Sequence, residues 1–573
     1  MSAFFTVDPP SARGHGGSYR GPVVPAPPWA IPAYGPPPGA KGGRTTSGRN
    51  PRGTTPTHDL RRWETWWGYN KEEFLPRRGR NPGQPGEAGY DADRRGPMEA
   101  QVRESILPVL IQLVREERDK DIRNSAALAI GRVGDVREFK FLQSLLADKD
   151  RTVVEAAIIG LGLLRCDRSE RTLRAIASDP ERPAKQRGLA VMALGYSGQD
   201  IARDVLLNDL GSPRAGGLSH RGRAADIETL RAMAAGLLFR SDLRKRRSAD
   251  AATGHLLRAI HMARTKERTF LPIAYVALSK TRDIAAVKTV VAGLSHPKSP
   301  VRAGAAIALG RVLQEPGKKL VRNLGRVLDA ESDVFVRRML LISLGRVGGD
   351  EVKPVLVTAL KHKDRQHRAF AAIACAIAGY DDLIDRFRRE LASARDASMK
   401  GAFAVALAIL DDRQAIGPIL QLLERDRNPD VRAHLVEALT VLEARSAVPV
   451  LETLLIKSKS AALQASCAQA LGLIGPTAVR ATLLAALRGR ASALAAKGGI
   501  ATGLGRMGDH RAIEALVTIA TDEAEQDITR AFAVTALGIL GEREPGLPPF
   551  SRVAIDAHYE LRIDVLDELR WLF

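Results

Sequence analysis

Cysteine is nearly absent from this chain, and aromatic residues are few. Only Cys166, Cys375 and Cys467 occur in 573 residues, far apart and within apolar stretches. They form no CxxC spacing, which argues against a disulfide framework or a thiolate metal site and leaves buried free thiols. Aromatics make up 5% of the chain while Ala and Leu are plentiful, a composition suited to helices packed closely through small side chains. No apolar run approaches the ~20 residues of a membrane span. The opening MSAFFTVDPPSARG has neither the basic start nor the apolar core of a secretory signal. Acidic residues are also in deficit, with 65 Asp and Glu against 86 Lys and Arg and a formal net charge of +21. Such a surplus suits an acidic partner, whether nucleic acid, anionic lipid or another polyanion. It equally suits arginines spread over solvated helix faces.

Catalytic signatures are missing too. HExxH, GxSxG and GxxxxGK[ST] do not occur, and GPPPGAKG lacks both the spacing and the final hydroxyl of a phosphate loop. His362 and His367 bracket a turn, a spacing that does not place them on one helix face. The acid pairs Asp381–Asp382 and Asp411–Asp412 fall between helices, where N-capping accounts for them. No enzyme, cofactor or metal site is expected.

What the chain does contain is a ruler. A basic residue recurs at Arg123, Arg187, Arg302, Arg337, Arg368, Lys400, Arg432, Lys497 and Arg530. Eight residues after each comes a small turn position: Gly131, Gly195, Gly310, Gly345, Ala376, Ala408, Thr440, Gly505 and Gly538. Val154 with Gly162 and Gln464 with Gly472 fit the same frame. Where the register is tight the period is 31 to 35 residues, the signature of stacked two-helix units. The predicted fold is therefore all-α, a right-handed α-solenoid of about thirteen helix pairs on the order of 120 Å in contour. Its second helices should line the concave face. The recurrent cation reads as a structural pair with an acid of the adjacent turn, such as Asp121, Asp333 or Asp430, that sets register between repeats.

Composition divides the chain further. Residues 1–58 are rich in Pro, Gly and Arg and are expected to be disordered. Residues 59–76 break that pattern: Trp63, Trp66, Trp67, Asn70 and Phe74 form one stripe on a helix that Asp59 could cap and Pro76 stops. It reads as a docking helix, either for a partner or as an intramolecular plug over the open first repeat. Residues 77–97 are linker, 98–541 the repeat array, and 542–573 a C-terminal capping helix ending in Trp571 and Phe573. Within the array, 211–223 and 240–250 are insertions. They carry Arg214, Arg221, Arg223, Arg240, Arg244, Lys245, Arg246 and Arg247. Insertions in repeat arrays map to loops, so these residues are the candidate surface for a polyanion.

The units VRAGAAIALGRV (301–312), IRNSAALAIGRVGD (122–135) and VRRMLLISLGRVGGD (336–350) resemble short bacterial HEAT repeats of the phycobilisome-lyase type. These are HEAT- or ARM-like modules with an early proline, an acidic turn and V-R-x-x-A-A-x-A-L-G. That resemblance implies a scaffold more than an enzyme. HGGSYRGP (15–22) and the Trp63–Leu75 motif are similar to a family of exported bacterial HEAT proteins in which the first segment follows a signal peptide. The resemblance implies a periplasmic or envelope location if translation starts upstream, and a cytoplasmic one otherwise. The expected function is a non-catalytic scaffold binding a protein partner, its oligomeric state open. Polyanion binding through the basic insertions is the second reading, and a bilin-lyase-like enzyme the third.

Overall fold

The computed structural model describes residues 61–76, 97–197, 206–207, 246–263, 271–313, 317–489 and 494–542. The expected tail, most of the linker, the insertion 211–223 and the capping helix beyond Glu542 lie outside these residues. Among the described residues there are helices and no strand.

Two kinds of helix alternate. The first of each pair is amphipathic: Lys318–Ala330 buries Val321, Leu324 and Leu328 and turns its charges to solvent. The second is apolar almost all round. In Arg151–Leu164 every residue after the first is buried, because neighbours cover both flanks. Asp or Asn residues ahead of several second helices are N-caps. Asp119, Asp333, Asp364 and Asn428 each accept a hydrogen bond from backbone N–H groups in the first turn at 2.8–2.9 Å.

Among the described residues, successive second helices pack on one another from Lys120–Val133 to Ala184–Ser197 and from Leu271–Lys280 to Asp527–Leu540, forming an inner wall with the first helices outside. The frame glycines decide how closely. They lie inside the second helices and not in turns, so this part of the sequence expectation is corrected. A Cβ added at Gly345 would fall 2.5 Å from the carbonyl oxygen of Ala374, and one at Gly310 would fall 2.8 Å from Cα of Ser343. Glycine is required there because backbone meets backbone.

The frame cations tie the outer helices. Arg123, Arg432 and Arg530 each donate from Nε to a carbonyl at the end of their own first helix, Val114, Leu423 and Ala520, at 3.0–3.1 Å. Those carbonyls lack partners within the helix. The same cations reach forward to the acid that ends the next first helix. Arg302 pairs with Glu331 at 2.7 Å, Lys400 with Asp426 at 2.6 Å, and Arg123 with Asp148. The partners are thus acids of the following repeat, not Asp333, which is an N-cap, nor Asp121 or Asp430, which stand in the first turn after one.

The array does not end open. Arg530, in the last repeat, pairs with Glu117, in the first, by the contact that joins sequence neighbours elsewhere. A Cβ at Gly538 would lie 2.9 Å from that of Ala129, repeating the glycine seam between Asp527–Leu540 and Lys120–Val133. Arg132 pairs with Glu542 at 3.2 Å beside it. The first and last repeats therefore abut, and the inner wall turns around a central lumen.

Candidate functional site

The tryptophan segment lies in that lumen. Residues Trp63–Asn70 form a helix that continues as a 3-10 turn, Lys71–Glu73. Its N-terminal residue Arg62 makes no side-chain cap. What anchors this end is the wall. The backbone N–H of Trp63 donates to Oε1 of Gln366 at 2.9 Å, and its indole N–H donates to Oγ of Ser398 at 2.7 Å. Gln366 also reaches Ser398 at 2.8 Å and Glu64 at 3.2 Å. The indole fits because position 401 is glycine: a Cβ there would stand 2.9 Å from its six-membered ring. The His434 ring closes the slot, 4.8 Å away between centroids.

One turn on, the contacts converge on a buried acid. Glu437 accepts the Trp67 indole N–H at 2.7 Å, pairs with the Lys71 ammonium, and meets Nδ1 of His434 at 3.3 Å. Burial alone would push the Glu437 carboxyl up. The Lys71 charge and the His434 contact outweigh it and hold the group at about 2. Trp66 meets Phe370 edge-on at 6.4 Å, and Trp67 stacks with Phe74 at 5.5 Å. Asn70 donates back to the Trp66 carbonyl at 2.8 Å.

Arginines hold both ends. Arg338 donates to the Arg61 carbonyl, pairs with Asp364 at 2.6 Å and lies 5.8 Å over the Phe370 ring. Beyond the helix, Glu73 pairs with Arg346 at 2.6 Å and Glu72 with Arg506 at 2.7 Å. Arg346 and Arg506 belong to inner helices Val334–Val347 and Leu494–Met507, so adjacent residues of the segment engage separate parts of the wall. Arg311 stands near Arg346. Burial and that neighbouring charge lower it to about 9, against the pull of Glu73.

The stripe predicted from sequence is thus brought together: Trp63, Trp66, Trp67 and Asn70 are buried, and Phe74 is half-buried. Its place corrects the expectation of a plug over the first repeat. The segment rests on inner helices between Ser299 and Val441 and on Leu494–Met507, while the last repeat covers the first. The wall residues and the Lys71–Glu73 turn were missed. A signal existed: Arg338 and Glu437 put charge on helix faces where neighbouring repeats carry Ala369 and Val405.

Residues 98–162, 321–408 and 416–498 match the family of HEAT repeats. The array is an α-solenoid of HEAT-like helix pairs. Solved structures similar to it include human deoxyhypusine hydroxylase (18% identity, 48% of this chain and 96% of that chain, TM-score 0.22). The complex of CpcE and CpcF of phycocyanin lyase from Nostoc matches at 18% identity over 48% of this chain and 94% of that chain, with a TM-score of 0.29. A Kap121p mutant matches at 12% identity over 76% of this chain and 54% of that chain, with a TM-score of 0.33. No curated protein sequence matches significantly.

The other candidates of the HEAT array are placed as follows. Arg214, Arg221, Arg223, Arg240, Arg244 and Lys245 lie outside the described residues, and Arg246 and Arg247 open the helix Arg246–Ala263. His362 and His367 do meet, with ring centroids 4.2 Å apart, because the turn folds one back over the other. Burial, then the neighbouring His362, lowers His367 to about 4. The three cysteines are free, and burial raises the Cys375 thiol to about 12. Among the described residues no cluster of three or more His, Cys, Asp or Glu could hold a metal, and no helix is long and apolar enough to cross a membrane.

Proposed function

We propose that this α-solenoid is a non-catalytic scaffold that recognises a protein partner through the inner wall of its lumen. One observation carries the reading: the wall already holds a helix by the means that protein interfaces use. Two indoles are buried with their N–H groups satisfied, and charged ends meet arginines. Tryptophan and arginine are the residues that dominate interface energetics. The segment is attached through a stretch of linker composition, so its docking adds to a wall whose helices already pack on each other. Its likeness to the exported bacterial family would put this scaffold in the cell envelope if translation starts upstream, and in the cytoplasm otherwise, which fractionation decides.

The test is site-specific cross-linking in cells. A photoreactive amino acid replaces Ile342 or Ser398 on the inner wall, or the outward-facing Ile456, which is 67% exposed. Cross-linked protein adducts from the wall positions in excess of those from Ile456 support the proposal. Adducts from Ile456 alone, or with nucleic acid alone, overturn it.

A further inference from the structure

We propose that this part of the lumen is a receptor for one kind of helix, of which residues 61–75 are a tethered internal copy. This inference rests on the scaffold reading and names its partner class. The pattern follows from what the wall offers. The slot formed by Gln366, Ser398, Gly401 and His434 accepts an aryl ring carrying an N–H donor. Glu437 stands one turn further along and takes a second indole N–H together with a cation. Arg346 and Arg506 then take two carboxylates in succession. The complementary partner is an amphipathic helix with two tryptophans four residues apart, a lysine or arginine one turn beyond, and an acidic pair directly after it. Charge order gives direction as well as affinity: reversing the helix would set its acids in the indole slot and leave Arg346 and Arg506 without carboxylates.

The internal copy explains how such a receptor stays covered. Its linker keeps the segment near the site at a concentration on the order of millimolar, so a free helix competes only by binding more tightly or by acting when the copy is out. Gly401 is the point of control. Any side chain there occupies the indole slot, while the helix Ala397–Ile409 keeps its hydrogen bonds.

The experiment uses a fluorescein-labelled peptide of residues 59–76, titrated into the full-length protein and into full-length Trp63→Ala/Trp67→Ala. The variant, whose own copy is weakened, should bind the peptide at least roughly tenfold more tightly than wild type. Peptides carrying Trp67→Phe or Glu72→Lys/Glu73→Lys should bind roughly tenfold more weakly than the parent. Adding Gly401→Ala to the variant should weaken binding roughly tenfold.

Absence of peptide binding by a variant with native circular dichroism and elution volume overturns the proposal. So does equal binding of the Glu→Lys peptide, or displacement by heparin in place of unlabelled peptide. If the variant does not fold, a protease site within 77–97 of the otherwise wild-type chain replaces it. After cleavage the labelled peptide should exchange in, and no exchange is again negative. Inner-wall cross-links without peptide binding remove the helix pattern and leave the scaffold. Peptide binding without such cross-links removes the cellular partner and supports the receptor chemistry.

Discussion

The inner wall has two textures. Across most of the HEAT array, glycines at the frame position bring second helices together backbone to backbone, as at Gly162 on Ala193, Gly345 on Ala374 and Gly538 on Ala129. Between Arg365 and Val441 the same position holds Ala376, Ala408 and Thr440. That stretch receives Trp63 and Trp67. Here the glycine has moved to position 401, directly after the frame cation Lys400, where it faces the indole and the His434 side chain and not the backbone of a neighbouring helix. One repeat design therefore yields either a closed seam or a binding slot, according to which position lacks a side chain.

Breaking a closed seam should cost the most. Gly345→Val puts a branched side chain where even a Cβ would lie 2.5 Å from the Ala374 carbonyl oxygen. Backbone cannot give way as a flexible side chain can. The expected loss exceeds about 3 kcal/mol, read as a lower midpoint in urea. Glycine at 345 is a packing requirement only if Gly345→Ala is intermediate between wild type and the valine variant.

Breaking the slot at its charged centre should cost less and leave the wall intact. Glu437→Gln keeps an acceptor for Trp67 but strands the buried Lys71 ammonium, at about 3 kcal/mol of docking free energy. The wild-type chain should show the same event on acidification. The folded-state pKa of Glu437, about 2, lies below its ordinary value of 4.5. Its contribution is thus complete above about 4.5 and is lost as pH falls through about 2. Three of the five tryptophans belong to the segment. Their emission should shift to the red over this window in wild type, and already at neutral pH in Glu437→Gln. Emission that changes only together with helix content would assign Glu437 to the array as a whole.

The two textures were unequally legible in sequence. The seams were visible because repetition displays them: the period, the cation and the glycine recur, and their spacing alone implies stacked helix pairs. Closure of the array was present in the same letters but hidden. Arg530 and Gly538 look like any other repeat, and nothing local says that their next neighbours are Glu117 and Ala129. The slot was half legible. The Trp63–Phe74 stripe declared itself, whereas Ser398, Gly401 and Glu437 converge only through the curvature of the array, a property of many small rotations between repeats. Likewise His362 and His367 looked separate on a helical wheel and meet because a turn lies between them.

Gly401→Ala sharpens the comparison at about 1–2 kcal/mol of docking free energy. Alanine in a helix interior gains about 1 kcal/mol over glycine, so the array itself should not weaken. The added methyl would meet the Trp63 ring at 2.9 Å and His434 Cδ2 at 3.1 Å. The two effects have opposite signs and different readouts: unchanged or higher thermal stability of the array, with faster proteolysis within 77–97 as the segment leaves. Alanine at 401 that lowers array stability as Gly345→Ala does would erase the distinction between slot and seam.

The smallest effect contrasts two acids. Glu437 is deeply buried but lowered, because the docked segment supplies Lys71. Asp121, at the seam of Lys120–Val133, is half-buried and raised to about 7 by burial and by Asp119 and Asp150, against the pull of Lys120. The sign is therefore opposite. A carboxyl whose folded pKa exceeds its ordinary 3.8 favours the fold when protonated, and that contribution is lost as pH rises through about 7. Asp121→Asn should stabilise the array by about 0.5–1 kcal/mol at pH 8, after allowance for solvent screening, and by almost nothing at pH 4. Melting temperatures of both proteins at the two pH values test it. A gain that persists at pH 4 would trace to asparagine packing and not to charge. A loss at pH 8 would mean that the Asp121 carboxylate is held as Glu437 is, by a cation docked against it.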